Sequence, residues 1–307
     1  MLFAIRSRKS PDWQKRLQAS RGDKVFSTIN YVVVGLFALL CIFPLFYVLS
    51  YSLTPYEQYL KNPIRLIPTE LSFAAYRQLW NFPLMWTGFR STLFITIVGT
   101  AINIVLLCIS AYPLSKKDLK GRNFVMGMIL FTMFFNGGMI PNYYLVRSLH
   151  LINTYWSLIL PGAISAYNLI LMRNFVSAIP DSLEESAIID GANELVILGK
   201  IIVPLSKPAI ATFILFHAVG HWNAYFNSIL YISDRKLWPL MLIVREMVVD
   251  SGANMVQQGV TAGAQELAQP FTLKMAIIVV TILPIICVYP FVQKYFMKGM
   301  LLGSVKG

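Results

Sequence analysis

The sequence predicts an all-α membrane protein with about six transmembrane helices. Of its 307 residues 56% are hydrophobic and only 13% are charged, and the mean hydropathy is +0.61. Long stretches also lack Asp, Glu, Lys and Arg entirely. A helix that crosses the hydrocarbon core needs about 20 mostly apolar residues, and an unpaired charge there is costly. The composition therefore favours a bilayer over water as the solvent of most of this chain.

Six charge-free runs supply the predicted spans. They are Val25 to Tyr56, Ser91 to Ser115, Asn123 to Val146, Leu151 to Met172, Pro208 to Ser233, and Met275 to Gln293. Prolines within these runs predict bends, because neighbouring helices can satisfy the carbonyls that a proline frees; they are Pro44, Pro113, Pro161 and Pro284. Residues 25–296 form the predicted transmembrane domain, between an N-terminal segment 1–24 and a tail 297–307.

The distribution of basic residues predicts the orientation. Seventeen Lys and Arg residues fall on the side that receives both termini, and eight fall on the other side. Basic residues concentrate on the cytoplasmic side of membrane proteins, so both termini are predicted to be cytoplasmic. The first run is too long for a signal-peptide core and has no small-residue cleavage site after it. Topology thus explains most of the net charge of +12, and no separate basic domain indicates nucleic acid binding.

The cytoplasmic loop 174–208 carries the most informative pattern. Ser182 and Glu185 have the spacing of a capping box, which predicts a helix start. Asp190-Gly191 predicts its end after about two turns, because glycine readily takes the left-handed conformation at a helix C-terminus. A second amphipathic stretch, Ala192 to Val203, is predicted to stop at Pro204, and Pro208 opens the next span. The prediction is a short helix held away from the membrane by a sharp turn.

Such a helix needs a partner surface, because isolated helices below about 12 residues are marginal in water. A helix-in-groove contact with a cytoplasmic protein is the natural inference. Small and aliphatic side chains would pack closely and acidic ones would orient the contact: Ala187, Ile188, Ala192, Glu184, Glu185 and Asp190.

At these residues the chain resembles the permeases of ABC importers. Their signature is Glu, two alanines, three residues, Gly, nine residues, Ile, one residue, and Leu-Pro. Here it stands as Glu185-Ser186-Ala187, Gly191, Ile201 and Val203-Pro204, with the same spacing throughout. Ser186 and Val203 depart from the pattern, and both changes are modest in size.

Further residues narrow the resemblance to the maltose-type carbohydrate permeases. They are Asp190-Gly191-Ala192, Trp222-Asn223, and the ending Lys294-Tyr295-Phe296 through Val305-Lys306-Gly307. Within this group, three stretches are similar to permeases that import oligosaccharides from complex polysaccharides, including acidic ones such as alginate or pectin fragments: Phe135 to Pro141, Leu160-Pro161, and Asn168 to Arg173.

The resemblance implies a type I importer permease that works in the bacterial inner membrane. Its partners would be a second permease, two ATPase subunits and an extracytoplasmic solute-binding protein, with membrane lipid around it. ATP and magnesium would bind the ATPase subunits, and this chain would hold no cofactor. The short cytoplasmic helix would dock into an ATPase subunit, so the resemblance implies a coupling role for Glu184, Glu185, Ala187, Asp190, Gly191, Ala192 and Pro204.

The fifth run is unusually polar, with His217, His221, Trp222, Asn223, Tyr225 and Asn227. A metal site is not indicated, because Ala218 stands where a metalloprotease has its Glu and no further ligand is placed by the sequence. Two interpretations remain open. These side chains either bond helices to one another or line a sugar pathway, which aromatic rings and amides would suit. Asn103, alone in the second run, favours a helix-to-helix bond.

Other functions find less support in the sequence. A secondary transporter or channel is the main alternative, but such proteins normally carry charged residues within their spans. An intramembrane enzyme would need a catalytic motif, and none is present. No phosphate-binding loop occurs either, since Gly199-Lys200 is followed by Ile201. The long extracytoplasmic loop 234–274 either contacts the binding protein or is a passive tether.

Overall fold

The computed structural model describes residues 21–61, 67–249 and 270–303. Most of the predicted N-terminal segment 1–24, residues 250–269 of the predicted loop 234–274, and the end of the tail 297–307 lie outside the described residues. Within the described ranges all regular structure is helical.

The helices follow the predicted runs closely but divide several of them. In chain order they are α1 (Arg21–Ser52), α2 (Tyr56–Lys61), α3 (Ala74–Trp80), α4 (Pro83–Ser115), α5 (Arg122–Phe134), α6 (Met139–Ser148), α7 (Trp156–Ile159), α8 (Ala166–Val176), α9 (Asp181–Ile189), α10 (Glu194–Ile197), α11 (Val203–Leu205), α12 (Lys207–Asn223), α13 (Phe226–Tyr231), α14 (Leu240–Val249) and α15 (Pro270–Gly303).

Within the described ranges, three helices are long and apolar enough to cross a membrane unaided: α1, α4 and α15. Three bent pairs would supply the remaining spans. α5 and α6 meet at 117°, α7 and α8 at 54°, and the α10–α11 segment meets α12 at 81°. The structure therefore supports up to six spans, as the sequence predicts.

Most of the predicted proline sites do not break their helices. Pro44, Pro113 and Pro284 lie inside α1, α4 and α15, which continue through them, whereas Pro161 lies in the 3₁₀ turn between α7 and α8. The sharpest break, between α5 and α6, contains no proline. It is made instead by glycine, because Gly138 has a φ of +88°, which only glycine adopts freely.

α4 lies at the centre of the fold and packs against α8, α12 and α14. One hydrophobic core surrounds its C-terminal half, where Leu107 and Ala111 meet Met172 of α8 and Ile197 of α10. A second core, built by α3, α14 and α15, lies near its N-terminal end. Burying apolar side chains on both halves fixes α4 against its neighbours.

The N-terminal end of α4 collects connections that the sequence predicts on the outer side. The backbone N–H of Leu240 donates to the Thr92 hydroxyl at 2.7 Å. Nearby in the fold, the Asn153 side-chain oxygen accepts a bond from the backbone N–H of Ser233 at 2.6 Å. Segments far apart in the sequence therefore meet at one end of the bundle, as alternating spans require.

Candidate coupling site and transport path

α9 begins two residues earlier than the capping box predicts. Its N-cap residue is Pro180, which makes no side-chain cap, and Ser182 therefore lies inside the first turn. The predicted capping box is wrong, because a serine within the helix is not in the N-cap position from which its hydroxyl would accept a bond from the orphan N–H groups. The acidic first turn is present, with Asp181 and Glu184 where the helix dipole favours negative charge.

α9 ends as predicted, at a left-handed glycine. Gly191 has a φ of +84°. Its N–H donates to the carbonyl of Ile188 at 3.0 Å, and the N–H of Ala192 donates to the carbonyl of Ala187 at 2.9 Å. These two bonds make a Schellman motif, which satisfies two carbonyls that the helix end would otherwise leave unpaired.

The segment after Gly191 departs from the predicted single stretch. The Asn193 side chain caps α10 by accepting a bond from the N–H of Val196 at 2.9 Å. A π-helical turn, Leu198–Ile202, follows, and α11 continues through Pro204 to Leu205. The predicted stop at Pro204 is therefore wrong, because a proline is tolerated in the first turn of a helix. Pro208 does lie at the start of α12.

Two of the predicted docking residues on α9 face this chain's own interior. Glu184 and Ala187 are buried, and the Glu184 carboxylate forms an ion pair with Lys116, just after α4. They hold α9 in place rather than present a surface. This corrects the prediction that Glu184 orients a partner and that Ala187 packs against one.

Other side chains of α9 and α10 are exposed and apolar. Ile188, Ile189 and Leu195 are 56%, 85% and 78% exposed. Glu185, Asp190 and Gly191 are also exposed, while Ala192 and Pro204 are partly buried. Isoleucines exposed to this degree beside acidic side chains have the character of a docking surface.

Sequence reasoning missed the residues that seat this segment. The Tyr112 hydroxyl donates to the Glu194 carboxylate, and the Lys116 ammonium lies 4.8 Å from the centre of the Tyr112 ring. An open groove of about 680 Å³ separates the end of α4 from α9 and α10 and includes these side chains. No local pattern signals them, because Tyr112 and Glu194 are 82 residues apart.

The two histidines of α12 bond to other helices. The His221 Nε2 lies 2.7 Å from the Asn103 side-chain oxygen, and the His217 Nε2 lies 3.2 Å from the Asn168 amide nitrogen. The Asn103 amide also donates to the carbonyl of Ala163 at 2.7 Å, at the break between α7 and α8. The predicted bonding role of Asn103 is confirmed, and both histidines share that role.

The remaining polar residues of this region divide into one core residue and three exposed ones. Trp222 is buried, with its indole N–H donating to the carbonyl of Thr281 at 3.3 Å. Asn223, Tyr225 and Asn227 are exposed. The cavity beside His221 and Asn227 has a volume of about 20 Å³, which has room for a water but not for a sugar ring.

Comparison with known proteins connects this architecture to a transport family. Residues 123–301 match the family model described as the inner membrane component of binding-protein-dependent transport systems. The chain is 45% identical, over 93% of its length and 99% of the relative's, to the polygalacturonan/rhamnogalacturonan transport system permease protein YtcP of Bacillus subtilis (strain 168). It is also 41% identical to the protein LplC of the same organism, over 94% of this chain and 97% of the relative.

A solved structure is similar over nearly the whole fold. A chain of a bacterial ABC transporter involved in the import of the acidic polysaccharide alginate superposes with a TM-score of 0.83 at 35% identity, covering 90% of this chain and 98% of that one. The expected type I importer permease architecture is thereby confirmed. The family match covers more than half of the chain, so this protein belongs to the family of binding-protein-dependent transport system inner membrane components.

Proposed function

We propose that this chain is one permease subunit of an ATP-driven importer of acidic oligosaccharides of the polygalacturonan and rhamnogalacturonan type. The observation that carries the proposal is the 45% identity to YtcP over 93% of the chain, which leaves no large region of this protein without a counterpart in that permease. The similarity to an alginate importer chain adds a second acidic polysaccharide.

The charge of the predicted outer side fits an acidic cargo. Its three connections, residues 54–90, 147–153 and 234–274, carry eight Lys and Arg, with Lys274 as a ninth at the boundary of the last, against six Asp and Glu. A basic surface raises the local concentration of polyanionic substrates at the membrane. It thus favours uronate oligosaccharides over neutral ones.

The proposed complex contains a second permease, two ATPase subunits and an extracytoplasmic solute-binding protein. ATP and magnesium bind the ATPase subunits, and this chain holds no cofactor and catalyses no reaction itself. It crosses the bacterial inner membrane several times, with both termini in the cytoplasm. The exposed apolar surface of α9 and α10 is where an ATPase subunit docks, because these side chains remain uncovered while Glu184 and Ala187 of α9 are buried.

The sugar pathway lies between this chain and the second permease. Exposed amides are costly against lipid, so Asn223 and Asn227 favour a water-filled boundary between subunits. Tyr225 is exposed beside them and offers a ring face for a sugar. His217, His221 and Trp222 support this wall from behind through their bonds to other helices.

Uptake measurements test the proposal. A strain that lacks this chain should fail to take up labelled trigalacturonate and should take up labelled maltotriose normally, and the wild-type chain supplied in trans should restore trigalacturonate uptake. The purified complex should hydrolyse ATP faster with the binding protein and trigalacturonate than with the binding protein alone. Normal trigalacturonate uptake by the deletion strain, in the absence of another importer for it, contradicts the proposed substrate.

A further inference from the structure

Four separate segments hold the C-terminal end of α4. The Leu114 carbonyl accepts bonds from Arg122 Nε at 3.0 Å and from Arg173 Nε at 3.2 Å. Lys116 pairs with Glu184 of α9, and Tyr112 bonds to Glu194 of α10. The starts of α5, α9 and α10 and the end of α8 therefore all meet at one turn of α4.

Two of these links tie α4 directly to the docking segment, and each has one buried member and one more exposed member. Glu184 and Tyr112 are only 8% and 6% exposed. An ion pair with a buried member resists separation, because removing one partner leaves an uncompensated charge. Apolar packing reinforces the links, since Ala187 and Ile197 belong to the same core as Leu107 and Ala111 of α4.

The covalent route from α9 to the next span is less direct. It passes through the left-handed turn at Gly191 and the π-helical turn Leu198–Ile202. It then breaks at Ser206, where α12 departs at 81°. Each interruption is a place where backbone torsions can absorb a displacement of α9 before it reaches α12, so rigid transmission favours the packed lateral route.

We propose that α4 is the span that receives the movement of α9, through the contact cluster Tyr112, Lys116, Glu184 and Glu194. Displacement of α9 by an ATPase subunit then moves the cytoplasmic end of α4, and α12 follows because it packs along α4. The four residues are positioning residues for coupling. The inference rests on the proposed docking of an ATPase subunit on the exposed side chains of α9.

Charge reversal tests the cluster in the purified complex with its ATPase subunits, second permease and binding protein. Lys116→Glu and Glu184→Lys should each lower trigalacturonate uptake per ATP hydrolysed at least tenfold. The double variant restores an ion pair with the two charges exchanged. It should return uptake per ATP hydrolysed to within threefold of wild type. Lys120→Glu makes the same charge change in the same loop at an exposed position and should leave the ratio unchanged. The ATPase subunits should co-purify with all four variants.

A second measurement needs no sugar. In a background with Cys41, Cys108 and Cys287 replaced, the rate at which a maleimide labels a cysteine at Ser115 should differ at least threefold between the nucleotide-free and the ATP–vanadate-trapped complex. Lys116→Glu should abolish that difference and the double reversal should restore it. If wild type fails to transport trigalacturonate but shows this difference, only the proposed substrate is wrong.

Several results would overturn the inference. Wild-type uptake per ATP in Lys116→Glu would show that movement reaches the spans without this cluster. If both single variants are impaired and the double reversal does not rescue them, Lys116 and Glu184 contribute to folding alone. If charge reversal prevents insertion, Tyr112→Phe removes only the hydroxyl that bonds to Glu194; it should reach the membrane normally and lower uptake per ATP about threefold, and an unchanged ratio would refute the proposal.

Discussion

Gly191 ends α9 in a conformation that other residues adopt only with strain. Its φ is +84°, and a Cβ placed there would meet nothing within 4 Å. Space is therefore no obstacle to a side chain, and the constraint is the backbone alone. A β-branched residue in a left-handed position costs about 1 to 3 kcal/mol, enough to redirect the chain after α9.

We accordingly expect Gly191→Val to reach the membrane at the wild-type level but to transport poorly. Uptake and stimulated ATP hydrolysis by the purified complex are the measurements. Gly191→Asn is the matched control, because asparagine tolerates the left-handed region, and it should retain most of the coupling. Wild-type coupling in Gly191→Val would remove the mechanical importance of this turn.

Gly99 is required for a different reason, the close approach of α12. A Cβ at this position would lie 2.7 Å from His221 Nε2 and 2.9 Å from Cε1. The ring has little freedom to move away, since it bonds to Asn103 at 2.7 Å. A methyl group here would therefore separate α4 from α12 or break that bond.

Gly99→Ala should destabilise the chain by about 1 to 3 kcal/mol, the usual cost of adding volume to a packed site. The thermal unfolding midpoint of the protein in detergent would measure the loss. Gly127→Ala adds the same methyl group to a membrane helix where nothing lies within 4 Å, and should change the midpoint little. Equal midpoints for the two variants would argue against the close approach of α12.

At the scale of elements, α9 carries both buried and strongly exposed side chains. Glu184 and Ala187 are buried against this chain, whereas Ile188 and Ile189 are exposed. A helix of nine residues gains its stability from tertiary contacts rather than from propensity. The buried side chains therefore fix α9 even without a partner, and the exposed ones are free for one.

Ile189→Ser should weaken ATPase docking without disturbing the chain, because Ile189 is 85% exposed. A loss of about 1.4 kcal/mol corresponds to a tenfold weaker association. The amount of ATPase subunit that co-purifies with the tagged permease, at rising salt and detergent stringency, is the readout. The control Ser186→Ala, on the same helix, should retain the ATPase subunits like wild type. If Ile189→Ser also retains them like wild type, the docking surface lies elsewhere.

The polar face of α12 shows how a membrane bundle uses amides and imidazoles. Asn103 satisfies a carbonyl where α7 gives way to α8 and at the same time bonds to His221. A polar side chain between helices replaces bonds that water would otherwise make. The break between α7 and α8 is thereby tied to α4 and α12.

For the whole molecule, α4 runs between two groups of connections. Thr92 near its N-terminal end bonds to Leu240, and Leu114 near its C-terminal end bonds to Arg122 and Arg173. The basic residues cluster on the second side, which the positive-inside rule assigns to the cytoplasm. The orientation of α4 across the membrane therefore fixes the orientation of the whole bundle.

Cysteine labelling in intact cells tests this orientation. With Cys41, Cys108 and Cys287 replaced, an impermeant maleimide should label a cysteine at Lys236 and should not label one at Lys117 until the cells are opened. Both positions are exposed, so accessibility alone does not separate them. Labelling of Lys117→Cys but not Lys236→Cys in intact cells would reverse the orientation.

The sequence by itself determined the membrane class, the charge-free runs that supply the candidate spans, the left-handed end of α9 at Gly191, and the family pattern around Glu185. These features depend on composition, on charge-free runs, or on the chemistry of adjacent residues, and all of them are local. The start of α9 was missed by two residues, because the predicted N-cap was Ser182 and the N-cap in the packed chain is Pro180.

Tertiary structure alone decided which side of each helix is used. Glu184 and Glu185 are neighbours of the same charge, yet one is buried against Lys116 and the other is exposed. Likewise His221 and Asn223 lie on one helix, and packing turns the first toward Asn103 while the second stays exposed. Such choices depend on residues 68 to 118 positions away in the chain, and loop closure brings them together only when the whole bundle forms.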